Sequence, residues 1–285
     1  MSMKPMKAAA VSLNPAAGQP LENAEVMCRY LDRAAADGCQ LVVFPEAALT
    51  GYGVENAASL AIHRTDPAIF RLCRHALKRR LICAFGFIEK DDAGRLYLSC
   101  AMVDGTEAVI YRKCHLGFRE RTVFTPGSTI PVFRGQGAVL GASICMEAHI
   151  PELHTILRKQ GAEIVLMPYA SGMSGDVCRR HWTRILPARA SDNGVFVIAC
   201  NLVRPSRQKA VSAMNSLPGS HAGGTPSLVG GGIMILDPKG EIMAEEYRPG
   251  EAYLTAPLSG ILPRDLPDGV LHAISYFDRR RPDLY

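Results

Sequence analysis

The sequence predicts an α/β fold, and two observations support this prediction. Short apolar segments typical of strands alternate with amphipathic segments typical of helices along most of the chain, which is the pattern of helices packed on sheets. Two polar turns, at 91–94 and 104–105, separate consecutive strand segments and suit antiparallel hairpins. We therefore expect a mixed sheet, or more than one, with helices on the outside.

Each predicted element follows from a local pattern. Segment 21–37 has apolar residues at helical spacing and ends at Gly38. Pro67 and Pro151 stand early in their segments, where a helix accepts proline. The predicted helices are 21–37, 67–80, 151–160 and 181–193, and the predicted strands are 7–13, 41–44, 81–88, 95–103, 108–112, 139–144, 164–167, 195–200, 232–236 and 241–245.

Composition excludes several classes of protein. With 285 residues, 48% hydrophobic and 21% charged, the chain is globular rather than disordered. The formal net charge of +5 is spread out, apart from three consecutive arginines at 279–281, so no nucleic-acid partner is expected. No apolar run is long enough to span a bilayer, and the N-terminus does not resemble a signal peptide. We expect a cytoplasmic protein without a membrane partner.

The nine cysteines predict free thiols rather than a metal site. No two of them lie within four residues of each other, which argues against a zinc knuckle or a redox pair. No metal or cofactor is expected. We expect a single domain over 1–285, with 205–231 as a long internal loop that either covers a site or is an inert insertion, and with 259–285 as a tail docked on the body or on a partner subunit.

Three polar residues follow apolar strand segments and carry the prediction of function. They are Glu46, Lys113 and Cys145. Because strand ends in α/β folds tend to meet on one side of the sheet, these side chains are expected to converge. A thiolate attacks a carbonyl or nitrile carbon, a carboxylate transfers the proton, and an ammonium stabilises the oxyanion. Taken singly, each residue has an ordinary reading, as a buried thiol, a carboxylate near a helix start and a surface lysine.

The segments around these residues resemble the nitrilase superfamily of carbon–nitrogen hydrolases. The matching motifs are FPE with a following TGY, YRK-x-HL, ERTVFTPG, a buried strand ending in ICME, and RRPDLY, in the family's order and spread over 7–285. The resemblance implies a four-layer α-β-β-α sandwich. It also implies a homodimer or a higher homo-oligomer.

The resemblance further implies a role for each matching residue. Glu46 is expected to be the general base and acid, Lys113 to stabilise the tetrahedral intermediate, and Cys145 to form the acyl-enzyme. Glu120 resembles the family's second glutamate, which positions the substrate or the lysine. The backbone N–H of Met146 is expected to complete the oxyanion hole.

Other residues receive weaker assignments. Glu147 and the segment that carries Arg189, Asn193 and Asn201 resemble family positions that are expected to be scaffold. Three aromatic residues are expected either to line the substrate pocket or to belong to the rim or core. They are Tyr52, Tyr169 and Trp182.

The substrate class is only partly indicated. Nitrilases usually show Cys-Trp-Glu and many amidases Cys-Tyr-Asp, whereas this chain has Cys145-Met146-Glu147 and lacks the long extension of filament-forming nitrilases. We expect a small-molecule amide or carbamoyl substrate, with a nitrilase or a catalytically silent interaction protein as the alternatives. A cysteine protease would need His115 or His149 as base, but neither lies in a protease signature. The glycine-flanked cysteine of a class I glutamine amidotransferase is also missing.

Overall fold

The computed structural model describes residues 3–105, 108–206 and 228–259, together with 277, 280, 281 and 283. Within these residues the helices are α1 (Pro20–Ala36), α2 (Ala57–Leu60), α3 (Pro67–Arg79), α4 (Pro151–Lys159), α5 (Gly175–Thr183) and α6 (Leu186–Asn193). The strands are β1 (Met6–Ser12), β2 (Leu41–Val43), β3 (Ile82–Lys90), β4 (Leu96–Val103), β5 (Ala108–Arg112), β6 (Phe133–Gly135), β7 (Ala138–Ala142), β8 (Ile164–Tyr169), β9 (Phe196–Asn201), β10 (Val203–Pro205), β11 (Leu228–Gly230), β12 (Ile233–Leu236), β13 (Ile242–Glu246) and β14 (Ala252–Leu258).

The strands form two six-stranded mixed sheets and a short ribbon. The first sheet has the order β14-β1-β2-β3-β4-β5, in which the adjacent strands β1, β2 and β3 are parallel. The second has the order β13-β12-β9-β8-β7-β6, with β7, β8 and β9 parallel. The ribbon pairs β10 with β11 in antiparallel fashion. The sheets are therefore mixed, as predicted.

Packing places these elements in four layers. Apolar side chains from both sheets meet in one core between them. A second core lies between the first sheet and helices α1 and α3, and a third lies between the second sheet and helices α4, α5 and α6. The four-layer α-β-β-α sandwich implied by the resemblance is confirmed.

Helix α3 shows how local sequence sets the boundaries. Asp66 precedes it, and its carboxylate accepts a hydrogen bond of 2.9 Å from the backbone N–H of Ala68, so one free amide of the first turn is satisfied. Pro67 occupies the first position. The helix ends with Arg80 in the left-handed conformation, after Lys78 and Arg79, whose charges suit the negative end of the helix dipole.

Two sequence predictions of secondary structure are wrong. The single helix expected over 181–193 is two helices, because Pro187 at the start of α6 cannot continue the hydrogen bonding of α5. The strand expected over 139–144 ends at Ala142, and a 3-10 helix begins at Cys145. Strands β6, β10, β11 and β14 and the short helix α2 were not predicted.

The predictions for the 205–231 loop and the 259–285 tail fall partly outside the residues that the structure describes. Strands β10 and β11 hold the two ends of the 205–231 loop together, while 207–227 lie outside the described residues. Most of the 259–285 tail does as well. Among the helices that are described, none combines the length and the apolar character needed to cross a membrane. The single domain and the homo-oligomer stay predictions.

Candidate active site

The three predicted catalytic residues lie at the ends of strands from different sheets. Glu46 follows β2 and Lys113 follows β5, both in the first sheet. Cys145 begins the 3-10 helix Cys145–His149, directly after β7 of the second sheet. The site is thus assembled from both halves of the sandwich.

A glycine in β3 supports the backbone that carries Glu46. The N–H of Gly86 donates to the carbonyl of Pro45 at 3.1 Å, and its carbonyl accepts from Leu49 N–H at 3.0 Å. A Cβ at Gly86 would lie 2.6 Å from the Cα of Glu46 and 2.4 Å from the N of Ala47, so no side chain fits there. Ala47 itself has a φ of 55°, which is uncommon for a residue other than glycine. Glu46 therefore sits on a tightly fixed turn.

Lys113 is held at both its backbone and its side chain. Its N–H donates to Leu98 O at 2.8 Å, and its carbonyl accepts from Gly127 N–H at 2.9 Å. The side chain has no exposed surface, and Nζ donates to Glu46 Oε1 and Glu120 Oε1, each at 2.9 Å. An ammonium has three donors, so one N–H is left over from these two ion pairs.

Both carboxylate oxygens of Glu120 accept hydrogen bonds, whereas only one oxygen of Glu46 does. In Glu120, Oε1 also accepts from the Tyr52 hydroxyl at 2.9 Å, and Oε2 accepts from Gly117 N–H at 2.6 Å. In Glu46, Oε2 is buried without a hydrogen bond of normal geometry in the described part of the chain. The Cys145 thiol is nevertheless close enough to lower the pKa of that carboxyl. Glu46 Oε2 is the oxygen available to receive a proton.

Two features set the state of Cys145. Its φ of 55° places this non-glycine residue in the left-handed region of backbone conformation. Strained backbone of this kind is commonly found at functional sites. The pKa of its thiol is raised to about 12, chiefly by burial; the charge of Glu46 contributes to this rise and that of Lys113 opposes it. The thiol is therefore neutral near pH 7 in this structure, and a base is needed to activate it.

Burial also governs the charges around the thiol. It raises the pKa of Glu46 above its usual value; Lys113 opposes this rise and Glu120 adds to it. Burial alone would lower the pKa of Lys113, but the two carboxylates raise it well above its usual value. The cluster thus combines a charged lysine with a carboxyl that takes up a proton at a higher pH than an exposed glutamate does.

Glu147 joins the two sheets behind the reacting groups. Its carboxylate has no exposed surface. Oε1 accepts from the Tyr111 hydroxyl at 2.7 Å and from the N–H groups of Cys114 and His115 at 2.8 and 2.9 Å. Oε2 accepts from Ile144 N–H at 2.8 Å. Glu147 therefore ties the chain after Lys113 to the chain before Cys145, in line with the expected scaffold role.

The other expected scaffold residues connect loops around the site. The Asn201 side chain accepts from Ser171 N–H at 2.8 Å and donates to the carbonyls of Ser171, Met173 and Gly231. Farther along the helical layer, Arg189 donates to Ala148 O at 2.8 Å, and the Asn193 amide donates to Arg189 O at 3.0 Å. These contacts fix the segments that leave β8, β9 and the 3-10 helix.

The aromatic candidates lie at different depths. Tyr52 is partly exposed, bonds Glu120 and lines a cavity of about 510 Å³, which Ala170 also lines. Tyr169 is buried near Glu46 and Cys145: burial raises the pKa of its hydroxyl well above the usual value, and the charges of these two residues add to the rise. Trp182 has no exposed surface and packs on Tyr169 at 4.9 Å between ring centroids. We therefore assign Trp182 to the core that supports Tyr169.

Neither histidine considered for a protease base is placed like one. Nδ1 of His115 lies 3.4 Å from Glu147 Oε1, on the scaffold side of the site. His149 is exposed, and its ring lies 5.3 Å from that of His181. In the part of the chain that the structure describes, no group of three or more His, Cys, Asp or Glu side chains is arranged to hold a metal ion.

Sequence reasoning missed three residues that shape the site. Gly86 carried a usable signal, because a glycine inside a strand often marks a close approach of another backbone. Tyr111 stands two residues before Lys113, but nothing local indicates that its hydroxyl reaches Glu147. Arg204, which lines the same cavity as Tyr52, lies in a three-residue strand that gives no recognisable pattern.

Comparisons with known proteins agree with this geometry. A family model described as carbon–nitrogen hydrolase matches residues 7–259. The chain is 29% identical over 202 residues to an omega-amidase from Xenopus tropicalis, a match that covers 67% of this chain and 72% of the relative. It is 30% identical over 234 residues to an N-carbamoylputrescine amidase from Arabidopsis thaliana, which covers 78% and 73%.

A solved structure supports the fold. The amidase from Nesterenkonia sp. AN1, as a cysteine-to-alanine mutant in complex with butyramide, superposes with a TM-score of 0.75 at 23% identity. The superposition covers 98% of this chain and 95% of that chain. At this identity, the likeness establishes the shared sandwich and leaves the chemistry to the residues described above.

Proposed function

Because this chain belongs to the carbon–nitrogen hydrolase family, the nitrilase superfamily, we propose that it hydrolyses the C–N bond of a small non-peptide amide or N-carbamoyl compound through a cysteine thioester. The observation that carries the proposal is the buried Lys113, paired with Glu46 and Glu120 beside the Cys145 thiol. A buried charge cluster of this kind costs desolvation free energy. That cost is reasonable where the charges serve a reaction.

In the first half of the reaction, Glu46 acts as base and then as acid. Its free Oε2 takes the thiol proton while sulfur attacks the carbonyl carbon. The oxyanion that forms is stabilised by the remaining N–H of Lys113 and by the backbone N–H of Met146. Protonated Glu46 gives its proton to the nitrogen, the C–N bond breaks, and ammonia or an amine leaves the thioester behind.

In the second half, water releases the acyl group. Glu46, ionised again, takes a proton from water as its oxygen attacks the thioester carbon. The C–S bond breaks, and the proton returns to the sulfur of Cys145. An amide substrate thereby releases its carboxylic acid, and an N-carbamoyl substrate releases carbamic acid, which decomposes to carbon dioxide and ammonia. Glu120 keeps Lys113 oriented throughout, since Tyr52 and the backbone of Gly117 hold its carboxylate.

The test of the nucleophile is Cys145→Ala. We expect ammonia release from a panel of amides, N-carbamoyl amines and nitriles to fall by about 10⁴–10⁶-fold, because a lost nucleophile removes the covalent route. Circular dichroism of both proteins serves as the control for folding. Sustained turnover in the variant would remove Cys145 as nucleophile.

The panel also separates the alternatives. Release from amides or carbamoyl compounds supports the proposal, whereas release from nitriles alone would make the protein a nitrilase. Silence across the panel, with no Cys145 acyl adduct in mass spectra, would indicate an interaction protein of this fold.

A further inference from the structure

The cavity beside Glu46, Lys113 and Cys145 has one cationic side chain that lacks an anionic partner among the residues that the structure describes. Its volume is about 510 Å³, and Tyr52 and Ala170 connect it to the reacting groups. Tyr52 bonds Glu120, and a backbone hydrogen bond of Ala170 lowers the pKa of Cys145. The volume falls in the range of small-molecule sites. A substrate whose amide reaches Cys145 would extend its other end into this space.

Two arginines and one glutamate line this cavity, and they are not equivalent. Arg119 forms an ion pair with Glu55, and both side chains are largely exposed at the rim. The side chain of Arg204 forms no ion pair or hydrogen bond with any residue that the structure describes, and it is partly buried. Among the described residues that line the cavity, the charge left over is therefore positive and belongs to Arg204.

The ribbon and its neighbours set the position of Arg204. It is the middle residue of β10 and pairs with Val229 of β11. Its guanidinium lies 5.7 Å from the centroid of the Tyr52 ring. A Cβ at Gly172 would come 3.3 Å from its Nη2 atom, so the absence of a side chain there leaves room for the guanidinium. One aromatic ring thus separates Arg204 from the carboxylate that pairs with Lys113.

We propose that Arg204 binds a carboxylate of the substrate, so that the enzyme prefers amides bearing a carboxylate over neutral or cationic ones. A guanidinium binds a carboxylate through two parallel hydrogen bonds, and such a contact is strong where water is partly excluded. A cationic group would instead meet the charge of Arg204. The inference rests on the proposed function, and it adds the substrate class. The carboxylate belongs either to the acyl part, as in a monoamide of a dicarboxylic acid, or to the leaving amine, as in an N-carbamoyl amino acid.

The experiment compares amides of similar length and different charge. We expect kcat/KM of the wild type for succinamate to exceed that for butyramide by roughly 10–100-fold, the range of a charge-assisted hydrogen-bond pair. The value for 4-aminobutanamide should be lower still. N-carbamoyl-β-alanine is measured beside succinamate, and the one whose rate depends on Arg204 identifies where the carboxylate lies.

Three variants test the assignment. Arg204→Gln should reduce the ratio of kcat/KM for succinamate to that for butyramide to near one. Arg204→Lys should retain part of the preference, because lysine keeps the charge but lacks the two parallel N–H donors of a guanidinium. Arg119→Gln removes the same charge from the exposed edge of the same cavity, so it is the matched control. Its ratio of succinamate to butyramide should fall much less than that of Arg204→Gln. An equal fall of this ratio in Arg204→Gln and Arg119→Gln would overturn the inference, because the overall positive potential of the cavity would then explain the preference. A wild type without preference for either carboxylate substrate would do the same.

A binding measurement separates this inference from the proposed function. In Cys145→Ala, calorimetry measures succinamate and butyramide without turnover. Roughly tenfold or tighter binding of succinamate, lost when Arg204→Gln is added, supports the carboxylate site even if the wild type hydrolyses no amide, in which case the proposed function alone fails. Equal affinities for the two amides would refute the site.

Discussion

Two buried carboxylate centres flank Lys113, and they are built in opposite ways. On one side, Glu46 and Glu120 share the lysine ammonium, and one oxygen of Glu46 is left without a normal hydrogen bond in the described chain. On the other side, Glu147 is held by neutral donors, namely three backbone N–H groups and the hydroxyl of Tyr111. The two centres approach the same short stretch of chain, 113–115.

The difference shows what a buried carboxylate is suited to do. A carboxylate whose two oxygens both accept hydrogen bonds from fixed donors is poorly placed to take up a proton, and its charge serves to hold those donors in place. A carboxylate with a buried free oxygen and a raised pKa is ready to exchange a proton. Burial alone therefore does not distinguish Glu46 from Glu147, whereas the buried Oε2 of Glu46, which has no normal hydrogen bond in the described chain, does.

Among variants of the two carboxylate centres, the largest expected effect is that of Glu46→Gln. Glutamine keeps an oxygen for Lys113 and loses the ability to take the thiol proton, so kcat/KM should fall by about 10²–10⁴-fold, the usual contribution of a general acid–base. The free energy of unfolding, measured by denaturant titration, should change by no more than about 1 kcal/mol, because the shape and the bond to Lys113 are retained. A large loss of stability would place Glu46 with the scaffold.

The pH profile of the wild type is a second measure of the same residue. The raised pKa of Glu46 means that the carboxyl is protonated, and unable to act as base, over a range above its usual value of 4.5. As the pH falls through that raised pKa, kcat/KM should decrease. The acidic limb of the profile should therefore lie above pH 4.5, and it should be absent from any residual activity of Glu46→Gln.

Glu147→Gln should give the reverse pattern. An amide group presents N–H to at least one of the buried N–H groups that now donate to the carboxylate, and an unsatisfied buried donor costs about 1–3 kcal/mol. We expect denaturant titration to show this loss of stability, together with a smaller loss of activity than in Glu46→Gln. If Glu147→Gln unfolds like the wild type while kcat collapses, the contrast between the two centres fails.

The smallest expected effects come from a matched pair of tyrosines. Each centre accepts one phenolic hydroxyl, from Tyr52 at Glu120 and from Tyr111 at Glu147. Tyr111→Phe leaves a fully buried carboxylate short of a donor and should destabilise the protein by about 1–2 kcal/mol. Tyr52→Phe acts at a partly exposed position and should cost less stability, with a modest fall in kcat/KM. Thermal unfolding and kinetics on the same two variants would sharpen the comparison, and equal losses of stability would weaken it.

Much of this arrangement could be predicted from the sequence. Residues that follow buried strands converge in α/β folds, so the meeting of Glu46 and Lys113 was expected, and family motifs named Glu120 and the four-layer sandwich. The break between α5 and α6 was visible in principle, because Pro187 stands inside the segment predicted as one helix. Helical periodicity outweighed that signal in the prediction.

The rest depends on contacts that no local pattern encodes. Tyr111 and Glu147 come from different sheets, and their hydrogen bond forms only when the sheets pack. The position of Arg204 depends on a ribbon of two three-residue strands, too short for the alternation that identifies a strand. Its guanidinium makes no ion pair or hydrogen bond with a described residue, and this depends on the packing of the cavity rather than on the sequence around Arg204.

In the proposed mechanism the nucleophile Cys145 and the base Glu46 are carried by different sheets, so the rate depends on how accurately the two halves of the sandwich are aligned. A displacement of about 1 Å between reacting groups is enough to cost roughly 10²-fold in rate. Side chains buried between the sheets, such as Met102 and Leu166, therefore act as spacers that set a catalytic distance. Side chains between a sheet and its helices, such as Leu31, do not set that distance.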